Sequence, residues 1–356
     1  MKYNHRYCER DVLAAMNALH PGEREFAALV SPAATALLEP MAQRARTLTR
    51  GHFGRTVSLY APLYLSNYCP GGCAYCGFAS DRKQPRHKLF PDELEREIEG
   101  LKAMHIEDVL LLTGERCPQA DFNYLRDCVE AVAKHFHNVS VEAFAMSRDE
   151  YAALADVGCT GVTLYQETYD RDLYAKLHRW GDKQDYDFRL NAASDVLEAG
   201  MRYVGVGALL GLAEPAGEMQ ALFSHVKKLQ KKQWRSGVMV SFPRICHEVG
   251  EFSPQHIISD KQLVQYILAF RICLPDVPLV LSTREAVKLR DGMAGVGISR
   301  MSVASRTTVG GYGDSEAEDQ GQFDVQDVRD VEQFCDALRR QGLEPVFKNW
   351  DSVFQG

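Results

Sequence analysis

Short apolar runs alternate with amphipathic stretches through most of the chain. The runs are rich in Val and Leu and lie at 56–65, 108–114, 139–145, 161–167, 203–211, 237–242, 277–283 and 297–305. Between them, apolar residues recur every three or four positions, which predicts helices near 92–105, 121–137, 147–157, 187–199, 217–233, 259–273 and 285–291. Eight buried strands separated by seven helices are typical of an α/β (β/α)8 barrel of the TIM type. Because the spacing is even, an open doubly wound sheet is the less favoured alternative.

Two extensions flank the predicted barrel. Helical spacing appears before it, at 11–19 and 32–48. After it comes an acidic stretch at 314–336, interpreted as a solvated linker, with a helix at 325–340 and a strand-like run at 344–350. We therefore predict three parts: an N-terminal helical extension at 1–55, the barrel at 56–308, and a C-terminal helix and strand extension packed on it at 309–356.

Composition excludes several classes of protein. With 46% apolar and 25% charged residues, the 356-residue chain is too apolar for wholesale disorder. A net charge of −7 disfavours a general nucleic-acid binder or a basic protein of membrane surfaces. No apolar run reaches the length of a membrane span, and the start of the chain has no apolar signal core. These features predict a cytoplasmic globular protein.

Three of the ten cysteines fall within eight residues. Cys69, Cys73 and Cys76 have the spacing C-x3-C-x2-C, with Tyr75 before the third, on a glycine-rich loop directly after the first predicted strand. Unrelated buried thiols rarely cluster in this way. Structural zinc is a second alternative, but it needs four ligands and His87 is the only local candidate for the fourth. Three thiolates suit a [4Fe–4S] cluster in which one iron has no protein ligand.

This cysteine motif after the first strand of a barrel resembles that of the radical S-adenosylmethionine (SAM) enzymes, in which SAM caps the open iron. Further motifs extend the resemblance over essentially the whole chain, to the tyrosine lyases of bacterial thiazole synthesis. They include Tyr64-Leu65-Ser66-Asn67, Leu112-Thr113-Gly114-Glu115, Tyr165-Gln166-Glu167-Thr168, Ser241-Phe242-Pro243-Arg244, Ser282-Thr283-Arg284-Glu285, Gly310-Gly311-Tyr312 and Lys348-Asn349-Trp350-Asp351.

Residues at the ends of the early strands provide the predicted SAM site. Glu115 is similar in position to the family residue that receives the SAM amino group, and Arg189 could hold the SAM carboxylate. The alternatives are that Glu115 caps a helix and that Arg189 pairs with Asp185 or Asp187. The full predicted set is Tyr75, Phe78, Thr113, Gly114, Glu115, Gln166, Glu167, Arg189, and Gly205 and Gly207 as the slot for adenine, although these glycines could merely relieve packing.

The last three strands end in arginines and hydroxyl groups, beyond what SAM requires. An arginine deep in an apolar barrel mouth is costly without an anion, so we interpret the substrate as an amino acid held by its carboxylate. The resemblance implies that Arg284 and Ser302 hold this carboxylate, with Arg244 and Ser305 as secondary candidates. The alternative is a salt bridge from Arg284 to Glu285 or Glu142.

The resemblance implies a reaction and partners. SAM is split into methionine and a 5′-deoxyadenosyl radical, which takes a hydrogen from the amino group of tyrosine. The Cα–Cβ bond then breaks to give p-cresol and 2-iminoacetate for the thiazole ring of thiamine. A thiazole synthase subunit and a flavodoxin or ferredoxin electron donor are the implied partners.

Three other readings stay open to different degrees. The tyrosine lyase of hydrogenase maturation has a second cysteine motif, whereas only Cys335 lies beyond Cys273 here, which disfavours it. A tryptophan-cleaving relative differs in the width of the mouth, which the sequence does not give. A non-catalytic metal-binding or cluster-binding scaffold would explain the cysteines alone.

Overall fold

The eight predicted strands form one closed parallel barrel. The computed structural model describes residues 7–246, 252–313 and 321–348. Its barrel strands are β1 Thr56–Tyr64, β2 Asp108–Leu112, β3 Asn138–Glu142, β4 Gly161–Thr163, β5 Tyr203–Gly207, β6 Gly237–Ser241, β7 Leu279–Leu281 and β8 Arg300–Ser302. Neighbouring strands pair in chain order, and β1 pairs with both β8 and β2, which closes the ring. The predicted (β/α)8 barrel is therefore confirmed.

Helices occupy every connection between consecutive barrel strands. They are α1 Glu9–Met16, α2 Glu23–Leu29, α3 Leu38–Phe53, α4 Pro91–Ala103, α5 Phe122–Ala133, α6 Arg148–Asp156, α7 Arg171–Leu177, α8 Tyr186–Glu198, α9 Pro215–Lys232, α10 Asp260–Cys273, α11 Val287–Met293 and α12 Val331–Arg340. Among the described residues, no helix combines the length and apolarity that crossing a bilayer requires.

Local capping explains where several helices begin and end. Ser147 and Ser259 accept hydrogen bonds from the backbone at the starts of α6 and α10. Gly158 and Gly200, which follow α6 and α8, have φ angles of +102° and +92°. Such angles favour glycine, so the predicted helix ends at these two positions are confirmed.

Two short helices and the start of a third differ from what the apolar periodicity predicts. Helices α2 and α7 have seven residues each, too few for an apolar pattern to repeat, and α7 is set instead by Asp170, which caps it. The predicted helix at 32–48 begins as a 3-10 helix at Pro32–Leu37 and continues as α3. The domain boundaries at 55 and 308 stay a prediction.

The strands carry their functional side chains to one end of the barrel. Because all eight run parallel, their carboxyl ends meet at a single mouth. The opposite end is filled: Arg300 makes a buried bidentate ion pair with Asp108 at 2.6 and 2.8 Å, and its guanidinium lies 4.6 Å from the centroid of the Tyr60 ring. The interior is therefore open to ligands only from the mouth.

The C-terminal part of the chain returns to the barrel at two levels. A ninth strand, β9 Glu344–Val346, pairs in parallel with the beginning of β1. Residues 321–330, which we call the mouth strap, cross the carboxyl end of the barrel, where the backbone amides of Gln326 and Asp327 donate to the carbonyl of Thr283 at 3.0 and 3.2 Å. Residues 314–320 and 349–351 of the sequence motifs lie outside the described residues.

The interpretation of the acidic stretch as a solvated linker is wrong for Asp327. This side chain is only 1% exposed, and its carboxylate lies 2.5 Å from Arg290 and 2.7 Å from Arg329. Arg290 also donates to the carbonyl of Ser302 at the end of β8. The ion pair therefore fixes the mouth strap to the strand ends that form the substrate side of the mouth.

We expect Asp327→Asn to lower the free energy of unfolding by about 3 kcal/mol near neutral pH, because Arg290 is left buried without its carboxylate. Burial alone would raise the pKa of Asp327, but the hydrogen bonds from Arg329 and the charge of Arg290 outweigh it and hold the pKa below its ordinary value. This contribution is therefore present above the ordinary aspartate pKa of about 4 and is lost as the pH falls through the folded-state pKa.

Urea unfolding of the cofactor-free protein over a series of pH values measures this effect. The wild-type and Asp327→Asn stabilities should converge in acid. Asp336→Asn is the matched control, since Asp336 forms a half-exposed pair with Arg339 at 3.1 Å and its loss should change the stability by less than about 0.5 kcal/mol. Equal effects of the two substitutions would contradict the buried-pair account.

Candidate active site

The three clustered cysteines lie on the loop between β1 and α4, at the mouth. Cys73 is buried, and Cys69 and Cys76 are half-buried. The loop is fixed by backbone hydrogen bonds to the segment after α7: the amide of Gly72 donates to Trp180 at 3.0 Å and the amide of Ala74 donates to Leu177 at 2.9 Å. A side chain on Gly72 would meet the Trp180 ring at 2.4 Å, so this close approach requires glycine.

Arg86 supports the loop from its other side. Its guanidinium donates to the carbonyls of Asn67, Phe78 and Ala79 at 2.6, 2.9 and 2.6 Å. Arg86 therefore has a structural role in holding the cysteine loop.

The chemistry of the thiols fits an iron–sulfur cluster. Burial raises the pKa of Cys69 to about 11 and that of Cys73 to about 12, so both thiols need a cationic partner such as iron to ionise. His87, the only local fourth ligand for zinc, is bonded instead to Glu93 at 3.2 Å. In the described ranges, no three His, Cys, Asp or Glu side chains converge on one ion position. This is compatible with a cubane, in which each thiolate binds a different iron.

The loop after β2 packs directly against the cysteine loop. A side chain on Gly114 would meet the carbonyl oxygen of Tyr68 at 2.4 Å, and the backbone amide of Glu115 donates to the sulfur of Cys69 at 3.4 Å. Thr113 donates to the carbonyl of Gly114 at 3.0 Å. The Thr-Gly-Glu sequence therefore lets this loop approach the cysteines and places Glu115 beside them.

Four charged side chains form a buried group next to this loop. Arg189 lies 3.5 Å from Glu115 and 3.7 Å from Glu167, and Lys183 lies 2.8 Å from Glu167. Arg189 also donates to the carbonyl of Tyr165 at 2.7 Å. We call these four residues the charge group: Glu115, Glu167, Lys183 and Arg189.

The opposite charges within this group outweigh the effect of burial on its pKa values. Burial alone would raise the pKa of Glu167, but Lys183 and Arg189 hold it below its ordinary value, and the two carboxylates likewise raise the pKa values of Lys183 and Arg189. The alternative that Arg189 pairs with Asp185 or Asp187 is wrong. Asp185 caps α8 by accepting from the amide of Phe188, and Asp187 pairs with Arg171.

Tyr75 is fixed beside the charge group by a histidine. The Nδ1 atom of His178 lies 2.9 Å from the carbonyl of Tyr174, so Nδ1 carries the proton and Nε2 accepts from the hydroxyl of Tyr75 at 2.7 Å. Burial lowers the pKa of His178 to about 3, which keeps the ring neutral. Phe78, in contrast, is buried behind the loop, with its ring edge-on to Tyr64 at 5.8 Å between centroids.

Two adjoining cavities open into the mouth. The upper cavity, about 590 Å³, is bordered by Tyr75, Cys76, Glu167 and Lys183. The lower cavity, about 610 Å³, reaches deeper into the barrel. Their shared lining residues are Glu142, Tyr165, Pro243, Arg284 and Phe323. A ligand beside the cysteines and a ligand inside the barrel would therefore be in contact.

Arg284 and two serines provide the polar side of the lower cavity. Arg284 lies 3.4 Å above the centroid of Phe323 and donates to the carbonyl of Arg244 at 3.3 Å. No carboxylate of the described residues forms an ion pair with it. Ser302 accepts from the amide of Thr283 at 3.0 Å, and the hydroxyl of Ser305 lies 3.2 Å from that of Ser302. The alternative of an Arg284 salt bridge to Glu285 or Glu142 is therefore wrong.

Arg244 is not free to bind a substrate. It forms ion pairs with Glu285 and with Asp260, and donates to the carbonyl of Ile258 at 2.8 Å. Its guanidinium is saturated by protein acceptors, so the prediction of Arg244 as a secondary anchor is corrected to a structural role.

Three residues predicted to contact SAM have other neighbours. Gln166 is buried and its amide lies 3.4 Å from the carbonyl of Tyr186, outside both cavities, because alternate residues after β4 point to opposite faces of the sheet. Side chains on Gly205 and Gly207 would meet Thr163 at 2.8 Å and Tyr165 at 2.9 Å. These glycines make room for neighbouring protein side chains, which favours the packing alternative, and their role as the adenine slot stays a prediction.

Sequence reasoning missed several residues of the site. His178 and Lys183 lie on the connection between α7 and α8 and not at a strand end. Gln322 and Phe323 come from the mouth strap: Gln322 accepts from the hydroxyl of Tyr64 at 2.8 Å, and its amide nitrogen lies 3.6 Å from the sulfur of Cys76. Glu142 lies inside the predicted run at 139–145, where the sequence indicates a candidate salt-bridge partner of Arg284 but not a residue that lines the cavity.

Two family models match adjoining parts of the chain. The Radical SAM superfamily model matches residues 63–226, which include the cysteine loop and the charge group. The Biotin and Thiamin Synthesis associated domain matches residues 241–344, which include Arg284, Ser302 and the mouth strap.

Known proteins resemble the whole chain. The 2-iminoacetate synthases of Salmonella typhimurium and Escherichia coli are each 40% identical over 343 residues, which covers 96% of this chain and 91% of either relative. Among solved structures, HydG, a maturase of the [FeFe]-hydrogenase, superposes with a TM-score of 0.89 at 31% identity, covering 96% of this chain and 77% of that chain. Methylornithine synthase shares the fold, with a TM-score of 0.75 at 20% identity, covering 94% of this chain and 97% of that chain.

The resemblance predicted from the cysteine motif is confirmed by these matches, and so are the cofactors, SAM and a [4Fe–4S] cluster, that the superfamily uses. Identity of 40% over nearly the full length of both proteins shows the family. The chain belongs to the 2-iminoacetate synthase family of radical SAM enzymes.

Proposed function

We propose that this protein is a radical SAM lyase that cleaves the Cα–Cβ bond of L-tyrosine. The products would be p-cresol and 2-iminoacetate, the latter a precursor of the thiazole ring of thiamine. One observation carries the proposal: two 2-iminoacetate synthases match 96% of the chain at 40% identity. The adjoining cavities support it, because Cys76 borders the upper one, and Arg284, which has no ionic partner among the described residues, lines both.

In this proposal Cys69, Cys73 and Cys76 hold the cluster and the upper cavity holds SAM. When bound, these cofactors supply a 5′-deoxyadenosyl radical and release methionine from SAM. Glu115 accepts from the amino group of SAM and Arg189 donates to its carboxylate. Both side chains are close to nine-tenths buried or more and lie 3.5 Å apart, beside the cysteine loop.

Other residues would shape the upper cavity indirectly. Lys183 holds the Glu167 carboxylate toward the cavity at 2.8 Å, and Tyr75 forms part of the wall. Phe78, Thr113 and Gly114 lie behind these groups and would act by holding the cysteine loop in place.

The lower cavity would hold tyrosine. Arg284 and Ser302, with Ser305 beside them, would bind the substrate carboxylate, and the aromatic side chain would lie among Tyr60, Tyr64, Tyr165, Leu112 and Val280. These apolar walls and the closed floor exclude water from the reacting groups. Exclusion of water and fixed orientation are the protein's main contributions to radical chemistry.

The partners follow from the same proposal. An electron donor such as flavodoxin or ferredoxin would reduce the cluster, and a thiazole synthase subunit would receive the unstable imine. The match to a domain associated with biotin and thiamin synthesis supports this place in metabolism. The protein would act in the cytoplasm, without nucleic acid or membrane as partner.

An anaerobic assay tests the proposal. The protein is reconstituted with iron and sulfide and incubated with SAM, dithionite and tyrosine. We expect p-cresol and 5′-deoxyadenosine in equal amounts, and neither without SAM. If tryptophan gives indolic products and tyrosine gives no p-cresol, the substrate is tryptophan and not tyrosine. If the cluster assembles but SAM does not bind, the protein is a non-catalytic cluster-binding scaffold.

A further inference from the structure

The lower cavity contains a second ionisable side chain for which the roles above give no use. Glu142 is the last residue of β3 and lines both cavities. Among the described residues, its carboxyl group makes no hydrogen bond and no ion pair. Burial raises its pKa to about 7, with a further rise from Glu167 and an opposing effect from Arg284. Such a group is costly to bury unless a ligand satisfies it.

Glu142 and Arg284 face the cavity from opposite sides of the barrel. Glu142 ends β3 and Arg284 follows β7, and these strands are four places apart in a ring of eight described strands. The two residues therefore come from opposite strands of the ring and form no ion pair with each other. Both groups border the same cavity, whose other walls are mostly apolar or aromatic.

We infer that Glu142 binds the ammonium group of the amino-acid substrate while Arg284 holds its carboxylate. The inference rests on the proposed function, since it concerns the site assigned to tyrosine. An α-amino acid zwitterion carries an ammonium and a carboxylate group on the same carbon atom, and the cavity offers one complementary group for each. Binding satisfies two half-buried groups that lack ionic partners among the described residues, so the affinity depends on both charges of the ligand.

The same carboxyl also borders the upper cavity, which gives a competing role. If Glu142 contacts SAM, its loss weakens SAM binding and affects every ligand of the lower cavity alike. If it binds the substrate ammonium, its loss affects only ligands that carry an amino group. A ligand without that group therefore separates the two roles.

Equilibrium binding to the reconstituted holoenzyme, with SAM present and without reductant, provides the test. The ligands are tyrosine and 3-(4-hydroxyphenyl)propanoate, which lacks the amino group. We expect Glu142→Gln to weaken tyrosine binding at least about tenfold and to change propanoate binding less than about twofold, as for loss of one charged hydrogen bond. Glu142→Asp, which keeps the charge, should restore part of the tyrosine affinity. Glu130→Gln, an exposed position paired with Lys134, is the matched control.

Equal losses for the two ligands, or weaker SAM binding, would overturn the inference, and so would unchanged tyrosine affinity. Failure of the proposed function has a different signature, the absence of p-cresol from the wild-type enzyme. The binding comparison does not depend on turnover, so the two failures are distinguishable.

Discussion

Replacing Cys69, Cys73 or Cys76 singly with alanine should abolish p-cresol formation and leave a cluster that is absent or abnormal. Two thiolates hold a cubane poorly, so loss of any one of the three should disrupt the cluster. Iron and acid-labile sulfide per chain, the brown visible absorbance and p-cresol measure the effect.

Cys8→Ser is the control for general thiol effects. Cys8 is exposed and caps α1 through Asp11, far along the chain from the cysteine loop, and serine can make the same cap. It should keep the wild-type metal content and turnover. A normal iron and sulfide content in any of the three alanine variants would remove that residue from the ligand set.

Arg284→Gln should weaken tyrosine binding by about 2–4 kcal/mol, or roughly 30- to 1,000-fold, while SAM affinity is unchanged. The substitution removes the cation of the lower cavity that lacks an ionic partner in the described chain, and the substrate carboxylate is then buried without a counter-charge. Equilibrium binding with tyrosine and with tyramine, which lacks the carboxylate, measures the effect. The affinity for tyramine should not fall as the affinity for tyrosine does.

Two further variants complete that experiment. Arg284→Lys keeps the charge without the planar fork and should give an intermediate loss. Arg126→Gln, an exposed position on α5, should bind both ligands as the wild type does. If Arg284→Gln instead reduces SAM cleavage or SAM affinity, Arg284 binds the cofactor and not the substrate.

The barrel and the cysteine loop could be predicted because each depends on local signals. The apolar runs repeat often enough to define eight strands, and the cysteine spacing with its glycines requires no knowledge of distant residues. Glu115 was also indicated in this way, since it closely follows a strand end, whereas Arg189 was indicated by its place at the start of a predicted helix. Most of the residues proposed for the cofactor side of the site could therefore be predicted from the sequence alone.

The substrate side depends on pairings that the sequence does not contain. Arg244 and Arg284 follow neighbouring strands in similar contexts, but Glu285 reaches Arg244, and only Arg284 is left without an ionic partner. Gln166 and Glu167 are adjacent, yet the alternation after β4 turns only Glu167 into the cavity. Phe323 arrives from the mouth strap, whose path no periodicity indicates.

Gln322 adds a further link between two neighbouring parts of the site. One side chain bonds both to Tyr64, in the wall of the substrate chamber, and to the sulfur of Cys76 on the metal-binding loop. Since it comes from the far end of the chain, displacement of the C-terminal region alters metal retention and substrate fit together. We therefore expect substitutions that displace the C-terminal region to impair cluster retention and substrate binding together.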